Sequence, residues 1–86
     1  MYRIEFSRTA EKELVKIYKT NAKLYSRIIN TVENLSEDPM LGKALKNVLK
    51  GYYSYRLGTY RIIYEVSHKK LIVTVIDIGH RRNIYD

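Results

Sequence analysis

The sequence predicts an α+β domain in which a two-helix hairpin packs on one face of a mainly antiparallel, twisted β-sheet, in the order βααβββ. Apolar residues recur with helical spacing between residues 10 and 35. In residues 2–6 and 52–78 they instead alternate with polar residues or form β-branched runs. Helices that precede a set of strands joined by short turns are typical of α+β domains.

The composition fits one small folded domain over residues 1–86, with 45% hydrophobic residues available for a single core. The chain has no cysteine, which excludes disulfides and thiolate metal sites and favours a reducing, cytoplasmic compartment. Its apolar runs are too short to span a bilayer, and its first residues do not resemble a secretion signal. We therefore expect neither export nor membrane insertion.

Residues 2–6 predict the first strand, because Tyr2, Ile4 and Phe6 alternate with polar residues. Either Ser7 or Thr9 can cap the following helix through its side-chain oxygen. The apolar residues of this first helix, at helical spacing, are Ala10, Leu14, Ile17 and Tyr18. They predict a short amphipathic helix with a cationic outer face.

Asn21 offers a second helix cap, and Asp38-Pro39 predicts the end of the second helix. The apolar stripe between them consists of Leu24, Tyr25, Ile28, Ile29, Val32 and Leu35. Residues 41–50 fit either a loose turn or a short edge strand, so their structure stays open at this point.

Residues 52–66 predict a β-hairpin with its turn at Gly58-Thr59. On its second strand, the residues expected to face the core are Tyr60, Ile62, Tyr64 and Val66, and those on the other side are Arg61, Ile63 and Glu65. A polar reversal precedes residues 71–78, the most β-branched segment, which we expect to be the central strand and to end at Gly79.

The formal net charge of +7 indicates a polyanionic partner. Residues 1–38 mix seven Lys/Arg with six Asp/Glu, whereas the 26 residues 39–64 contain five Lys/Arg and no acid. An evenly solvated surface is the ordinary explanation for scattered lysines. The absence of any acid from residues 39–64 instead favours a surface that binds nucleic acid. The residues predicted to contact RNA are Lys43, Lys46, Lys50, Tyr52 and Ser54. Tyrosines 52, 53 and 55 can stack on bases or pack within the sheet.

Two further groups of residues carry side chains that can take part in catalysis. A tight turn at Gly58-Thr59 would place Arg56 and Arg61 on the same open face of the hairpin. The last eight residues, 79–86, follow the final strand and include His80, Arg81 and Tyr85. If that strand ends at Gly79 at the sheet edge, these three side chains would join the two arginines.

Several guanidiniums around one phosphate, with a phenol and an imidazole within reach, can cleave RNA without a metal. The 2′-hydroxyl attacks the neighbouring phosphorus, a base takes its proton, and an acid protonates the leaving 5′-oxygen. The predicted catalytic residues are Arg56, Arg61, His80, Arg81 and Tyr85. We expect no cofactor and no metal, because the chain has only two histidines, no cysteine and no spaced carboxylate cluster.

Each of these side chains also has an ordinary structural interpretation. Arg61 can pair with Glu65 on the same strand face, and Arg56 can be an exposed hairpin charge. His80 can be a surface histidine, and Tyr85 can close the core at the end of the chain. It is their combination that favours a phosphate site.

The run GYYSYRLGTYRIIYEV at residues 51–66, followed by a hydrophobic strand and IGHRRNIYD at 78–86, resembles the RelE/ParE superfamily of toxins from type II toxin-antitoxin systems. The opening YRIEFSRTAEKEL and the helical stretch ending in LSEDP stand where that superfamily has its first strand and helical hairpin. The resemblance spans nearly the whole chain. It implies a compact fold and, for the RelE branch, ribosome-dependent cleavage of mRNA.

The resemblance also implies residue roles. Arg61 matches the arginine that binds the scissile phosphate, Arg81 the arginine that protonates the leaving group or stabilises charge, and Tyr85 the base. Arg56 stands where RelE members have a second lysine. Ser54 departs from the pattern, since the first catalytic lysine would lie there. That cation is therefore either missing or replaced by His80 or Lys50.

Partners follow from the same resemblance. They are a cognate RelB-like antitoxin protein that covers the basic face, and the ribosome with its mRNA. A toxin-antitoxin heterotetramer is one assembly that the resemblance allows. The superfamily also contains ParE-like members that inhibit DNA gyrase by binding, without RNase activity, and this is the alternative function. A third interpretation, a plain basic RNA-binding module, explains the charge but not residues 79–86.

Overall fold

The computed structural model describes residues 1–80. The strands are β1 (Arg3–Phe6), β2 (Lys43–Ala44), β3 (Tyr52–Leu57), β4 (Tyr60–Ser67) and β5 (Ile72–His80). The helices are α1 (Arg8–Thr20) and α2 (Ala22–Glu37), and short 3-10 turns occupy Pro39–Leu41 and Asn47–Leu49. The predicted catalytic residues Arg81 and Tyr85 lie outside the described residues.

The helical hairpin begins and ends at residues predicted to do so. Ser7 caps α1 by accepting a hydrogen bond from the Ala10 backbone N–H, and Asn21 caps α2 by accepting one from Leu24. α2 ends at Glu37, immediately before Asp38-Pro39. One prediction for α1 is wrong, because Tyr18 is 62% exposed.

The sheet has five strands in the order β1-β5-β4-β3-β2. β1 pairs with β5 in parallel, and the other neighbours pair in antiparallel fashion. The predicted α+β class with two helices on a mainly antiparallel sheet is therefore confirmed. Two details of the prediction are wrong: β4, not β5, is the central strand, and β5 continues past Gly79 to His80.

The core lies between the two helices and one face of this sheet. Its helix side includes Ala10, Ile17, Ile28 and Leu35, and its sheet side includes Ile62, Tyr64, Val73, Val75 and Ile78. All four residues of β4 that were predicted to face the core contact this cluster. The alternation of residues in β4 therefore predicted its buried face correctly.

The sequence left open whether the segment between α2 and β3 forms a turn or a short edge strand, and the structure has both. Its two 3-10 turns flank β2, a two-residue strand at the sheet edge. Asp38 helps to start the first turn, since its side chain accepts a hydrogen bond from the Met40 N–H at 3.1 Å. Within residues 1–80, no helix is long and apolar enough to cross a membrane.

Candidate phosphate-binding face

The hairpin of β3 and β4 places two arginines side by side. Tyr53, Tyr55 and Leu57 of β3 pack against the core, so the alternating residue Arg56 points to the face that the helices leave uncovered. Arg61 has the same position on β4, and Arg56 and Arg61 are direct partners across the two strands. The strand register therefore places both side chains on one face of the sheet, as predicted from the tight turn.

The turn between the strands makes this register possible. The two-residue turn is Gly58-Thr59, and Gly58 has a φ of +63°. A glycine with positive φ at the first turn position suits the tight turns that match the twist of a hairpin. The short turn leaves no freedom for the strands to slide, so Arg56 and Arg61 stay opposite each other.

Two cations directly opposite each other on a sheet face lower the stability of the folded chain. Arg56 is exposed, whereas Arg61 is half-buried. Partial burial weakens screening by water around the Arg61 guanidinium and strengthens its attraction for an anion. Two guanidiniums on one face of the sheet form a suitable arrangement for binding a phosphate between the two side chains.

Lys43 adds a third cation to the same face. Lys43 of β2 is the direct partner of Ser54 on β3, and Ser54 alternates with the core-facing residues Tyr53 and Tyr55. We call Lys43, Arg56 and Arg61 the basic face. Lys46 and Lys50 are exposed in the adjoining loop, and Tyr52 lies half-buried on the same side of β3.

Ser54 does not fit its predicted role as an RNA contact. Its side chain is only 6% exposed, and its strand partner Ile63 is equally buried at 6%. The two residues between the cations, Ser54 and Ile63, are therefore both buried. The free chain offers almost none of the Ser54 surface to a ligand.

His80 lies on the other side of the sheet, and its predicted position beside the arginines is wrong. It is the strand partner of Tyr60, which packs on the core, and the two rings meet edge to face at 5.8 Å. A cleft of about 350 Å³ beside His80 is lined by residues of α1, including Glu13 and Lys16. His80 therefore cannot replace a lysine at Ser54 while it keeps this position.

A β-bulge in β5 places His80 on the core side of the sheet. Ile63 pairs with Asp77 and Tyr64 with Val75, so β5 has one more residue than β4 at this point. Such an extra residue shifts every later side chain to the opposite face. Val73 and Val75 face the core before the bulge, and Ile78 and His80 take the same side after it.

Sequence reasoning assigned Tyr64 only to the core, but its hydroxyl also fixes the segment that contains Lys43. The side chain is fully buried, and its ring stacks on Tyr53 with centroids 5.4 Å apart. The hydroxyl donates a hydrogen bond to the Pro39 carbonyl at 2.7 Å and accepts one from the Gly42 N–H at 2.9 Å. The available signal was a tyrosine in the middle of a core-facing strand pattern, since buried phenols need polar partners.

The environment of Tyr64 keeps its phenol neutral. Burial raises the pKa of the phenol above its ordinary value of 10.0, and the hydrogen bond from Gly42 opposes that rise. The negative charges that Tyr53, Asp38 and Tyr55 would carry raise the pKa further. The phenol is therefore a hydrogen-bonding group and not a proton acceptor at neutral pH.

In residues 1–80 no three side chains of His, Cys, Asp or Glu lie close enough together to hold a metal ion. That the protein uses no cofactor stays a prediction.

Comparison with known proteins identifies the family. Residues 4–85 match the family described as ParE toxin of type II toxin-antitoxin system, parDE. Toxin RelG of Mycobacterium tuberculosis (strain ATCC 25618 / H37Rv) is 30% identical over 86 residues, which cover 98% of this chain and 95% of that protein.

Solved structures show the same fold. The toxin-antitoxin complex RelBE2 from Mycobacterium tuberculosis contains a chain that superposes with a TM-score of 0.81 at 29% identity, covering 93% of this chain and 98% of that one. The intact E. coli RelBE toxin-antitoxin complex gives a TM-score of 0.77 at 23% identity, with coverage of 93% and 96%, which is a likeness of fold alone. By its sequence and its fold, this chain belongs to the ParE toxin family of type II toxin-antitoxin systems, within the RelE/ParE superfamily.

Proposed function

We propose that this toxin is a metal-independent endoribonuclease that cleaves mRNA on the ribosome, in the cytoplasm. The observation that supports this most is the direct pairing of Arg56 with Arg61 on the face free of helices, with Lys43 on the same side. Gyrase inhibition by binding would not require two opposed guanidiniums at this position. A phosphate in an RNA backbone is the ligand that such a pair fits best.

The reaction begins with attack of the 2′-hydroxyl oxygen on the adjacent phosphorus. A base takes the hydroxyl proton, a 2′,3′-cyclic phosphate forms, and the bond from phosphorus to the 5′-oxygen breaks. The leaving oxygen receives a proton. Negative charge grows on the non-bridging oxygens, where the guanidiniums of Arg56 and Arg61 stabilise it more strongly than in the substrate.

The remaining roles come from the family resemblance. Tyr85 is the proposed base, and Arg81 either protonates the leaving group or stabilises charge. Since a guanidinium has a pKa above about 12, charge stabilisation is the simpler role for Arg81. Lys43, Lys46, Lys50 and Tyr52 would hold the strand on either side of the scissile phosphate, through phosphate contacts and base stacking. Ser54 and His80 have no direct part in this proposal.

A cognate RelB-like antitoxin is the proposed protein partner. The RelBE2 and RelBE structures are toxin-antitoxin complexes, and the five cations of residues 39–64 favour an acidic segment as their cover. An antitoxin on the basic face would exclude mRNA, and a toxin-antitoxin heterotetramer is the proposed assembly. Binding would weaken at high salt if these charges dominate it.

The test is the mapping of mRNA breaks by primer extension on translating ribosomes after addition of the purified toxin. Codon-dependent breaks are expected, and Arg61→Ala, Arg81→Ala and Tyr85→Phe should each reduce them. The variant Arg8→Ala, on the exposed side of α1, is the control for a general loss of positive charge. If all three variants stay as active as the parent, the nuclease proposal is wrong.

DNA gyrase inhibition is the second candidate, and the match to a family described as ParE toxin favours it. A ParE-like toxin would leave ribosome-bound mRNA intact and inhibit supercoiling by purified gyrase. The two assays on the same preparation separate the candidates. Inhibition of gyrase that survives Arg61→Ala, together with intact mRNA, would replace the nuclease proposal with this one.

A further inference from the structure

We infer that Tyr64 is a positioning residue for RNA binding: its buried hydroxyl tethers residues 39–44 and thereby places Lys43 on the basic face. This inference rests on the proposed function, since it concerns the affinity of that face for RNA. Tyr64 itself is fully buried and faces the opposite side of β4, so it cannot touch the substrate.

The strand that contains Lys43 has few bonds of its own. β2 is only two residues long, both of them exposed, and it lies at the edge of the sheet. After it, the Leu45 N–H donates to the Tyr52 carbonyl at 2.9 Å, and the Leu45 side chain is buried. A strand this short is marginal unless the chain is fixed on both sides of it.

The Tyr64 hydroxyl supplies the fixed point before β2. It joins the Pro39 carbonyl and the Gly42 N–H, which are three residues apart, through one oxygen atom inside the core. Pro39 is itself buried. Lys43 is the next residue after Gly42, so its backbone position is determined by this bond on one side and by Leu45 on the other.

Gly42 shows how closely the segment approaches the phenol. A Cβ atom at this position would lie 2.5 Å from the Tyr64 hydroxyl and 3.0 Å from the Ser54 carbonyl oxygen. The φ of Gly42 is −81°, which any residue can adopt. The glycine is therefore required for space and not for backbone freedom, and a larger residue would push β2 away from β3.

The role differs from ordinary core packing, because removal of one oxygen atom keeps the ring. In Tyr64→Phe the aromatic packing on Tyr53 remains, whereas the Pro39 carbonyl and the Gly42 N–H lose their partner. We expect residues 39–45 to detach from the sheet more often. Lys43 then spends less time beside Arg56 and Arg61, and the affinity for RNA falls.

The experiment measures binding of a single-stranded oligouridine RNA to the full chain over a series of salt concentrations. Tyr64→Phe should weaken binding about two- to fivefold, the range for one exposed ion pair. It should reduce the slope of log affinity against log salt by up to about 0.7, the value for complete loss of one phosphate contact on a single strand. Tyr53→Phe is the matched control, because it removes a hydroxyl from the neighbouring stacked ring, and its affinity and slope should equal those of the parent.

A double-mutant cycle tests whether Tyr64 acts through Lys43. In a Lys43→Gln background, Tyr64→Phe should change the affinity for RNA by less than a factor of about 1.5, because the contact it positions is already absent. Amide hydrogen exchange at residues 42–45 should be faster in Tyr64→Phe than in Tyr53→Phe. If Tyr64→Phe fails to fold, Gly42→Ala serves as the second variant, since its Cβ would crowd the contact between this segment and the Tyr64 hydroxyl without removing the hydroxyl.

The possible failures are distinguishable. If Arg56→Gln binds the RNA no more weakly than the parent, the basic face is not the RNA site, and the proposed function and this inference both fail. If Arg56→Gln weakens binding while folded Tyr64→Phe keeps the affinity and salt slope of the parent, only this inference is overturned. It is also overturned if the effects of Tyr64→Phe and Lys43→Gln on the binding free energy simply add.

Discussion

The two faces of the β3–β4 hairpin come from the same two strands, but their side chains have different environments. On the helix side, Ile62 and Tyr64 are fully buried. On the other side, Arg56 and Arg61 are direct strand partners of like charge. The face covered by the helices therefore stabilises the fold, while the other face holds two like charges side by side, an arrangement suited to an anion. We therefore expect substitutions one residue apart on β4 to change stability and function separately.

The largest expected effect on stability comes from the covered face. Ile62→Ala should lower the free energy of unfolding by about 2–5 kcal/mol, because it removes buried apolar surface and leaves a cavity. Ile62→Val, which removes a single methylene, should cost only about 0.5–1.5 kcal/mol. Chemical denaturation of both variants checks this. A loss under about 1 kcal/mol for Ile62→Ala would show that this face is not the core of the domain.

On the open face, the largest effect should be on cleavage. Arg61→Gln removes a charged donor from the developing negative charge and should reduce the rate of mRNA cleavage by about 10²–10³-fold. Single-turnover cleavage on programmed ribosomes measures this rate. Thermal unfolding of the same preparation is needed as well, because a variant that loses activity through unfolding would not distinguish the two faces.

Substitution of the exposed arginine should separate stability from binding most clearly. Arg56→Thr removes the repulsion from Arg61 and introduces a β-branched residue on a strand, so the free energy of unfolding should stay equal or rise by about 0.2–1 kcal/mol. Affinity for single-stranded RNA should fall. Denaturation and RNA titration at one salt concentration test the two results together. A destabilised Arg56→Thr would mean that the pair of arginines contributes to the fold.

The smallest effect concerns alkaline pH. The folded pKa of Tyr64 lies above the unfolded value of 10.0, so the unfolded state releases this proton first as the pH rises. The stability that the neutral phenol contributes is complete below that value and is lost as the pH rises through the folded pKa. Above about pH 10 the free energy of unfolding should therefore fall more steeply for the parent than for Tyr64→Phe. Equal slopes would contradict the raised pKa.

The local signals in the sequence were sufficient for the elements of the fold. Ser7 and Asn21 begin the two helices because their side-chain oxygens can accept from free backbone N–H groups. The alternation of apolar residues in β4 gave its buried face, and Gly58-Thr59 gave the turn that sets Arg56 opposite Arg61. These features depend on residues close together in the chain, so they can be predicted without the tertiary structure.

Only the tertiary structure decided the features that depend on contacts between segments far apart in the sequence. The bulge in β5 inverts its alternation and moves His80 to the helix side, although nothing in residues 72–80 alone announces the extra residue. The parallel pairing of β1 with β5, the two-residue strand β2 and the bond from Tyr64 to Pro39 and Gly42 likewise join segments far apart in sequence. The sequence by itself determined which side chains can bind a phosphate. Only the packing of the chain decided which of them share a face, because one shifted register reverses every side chain beyond it.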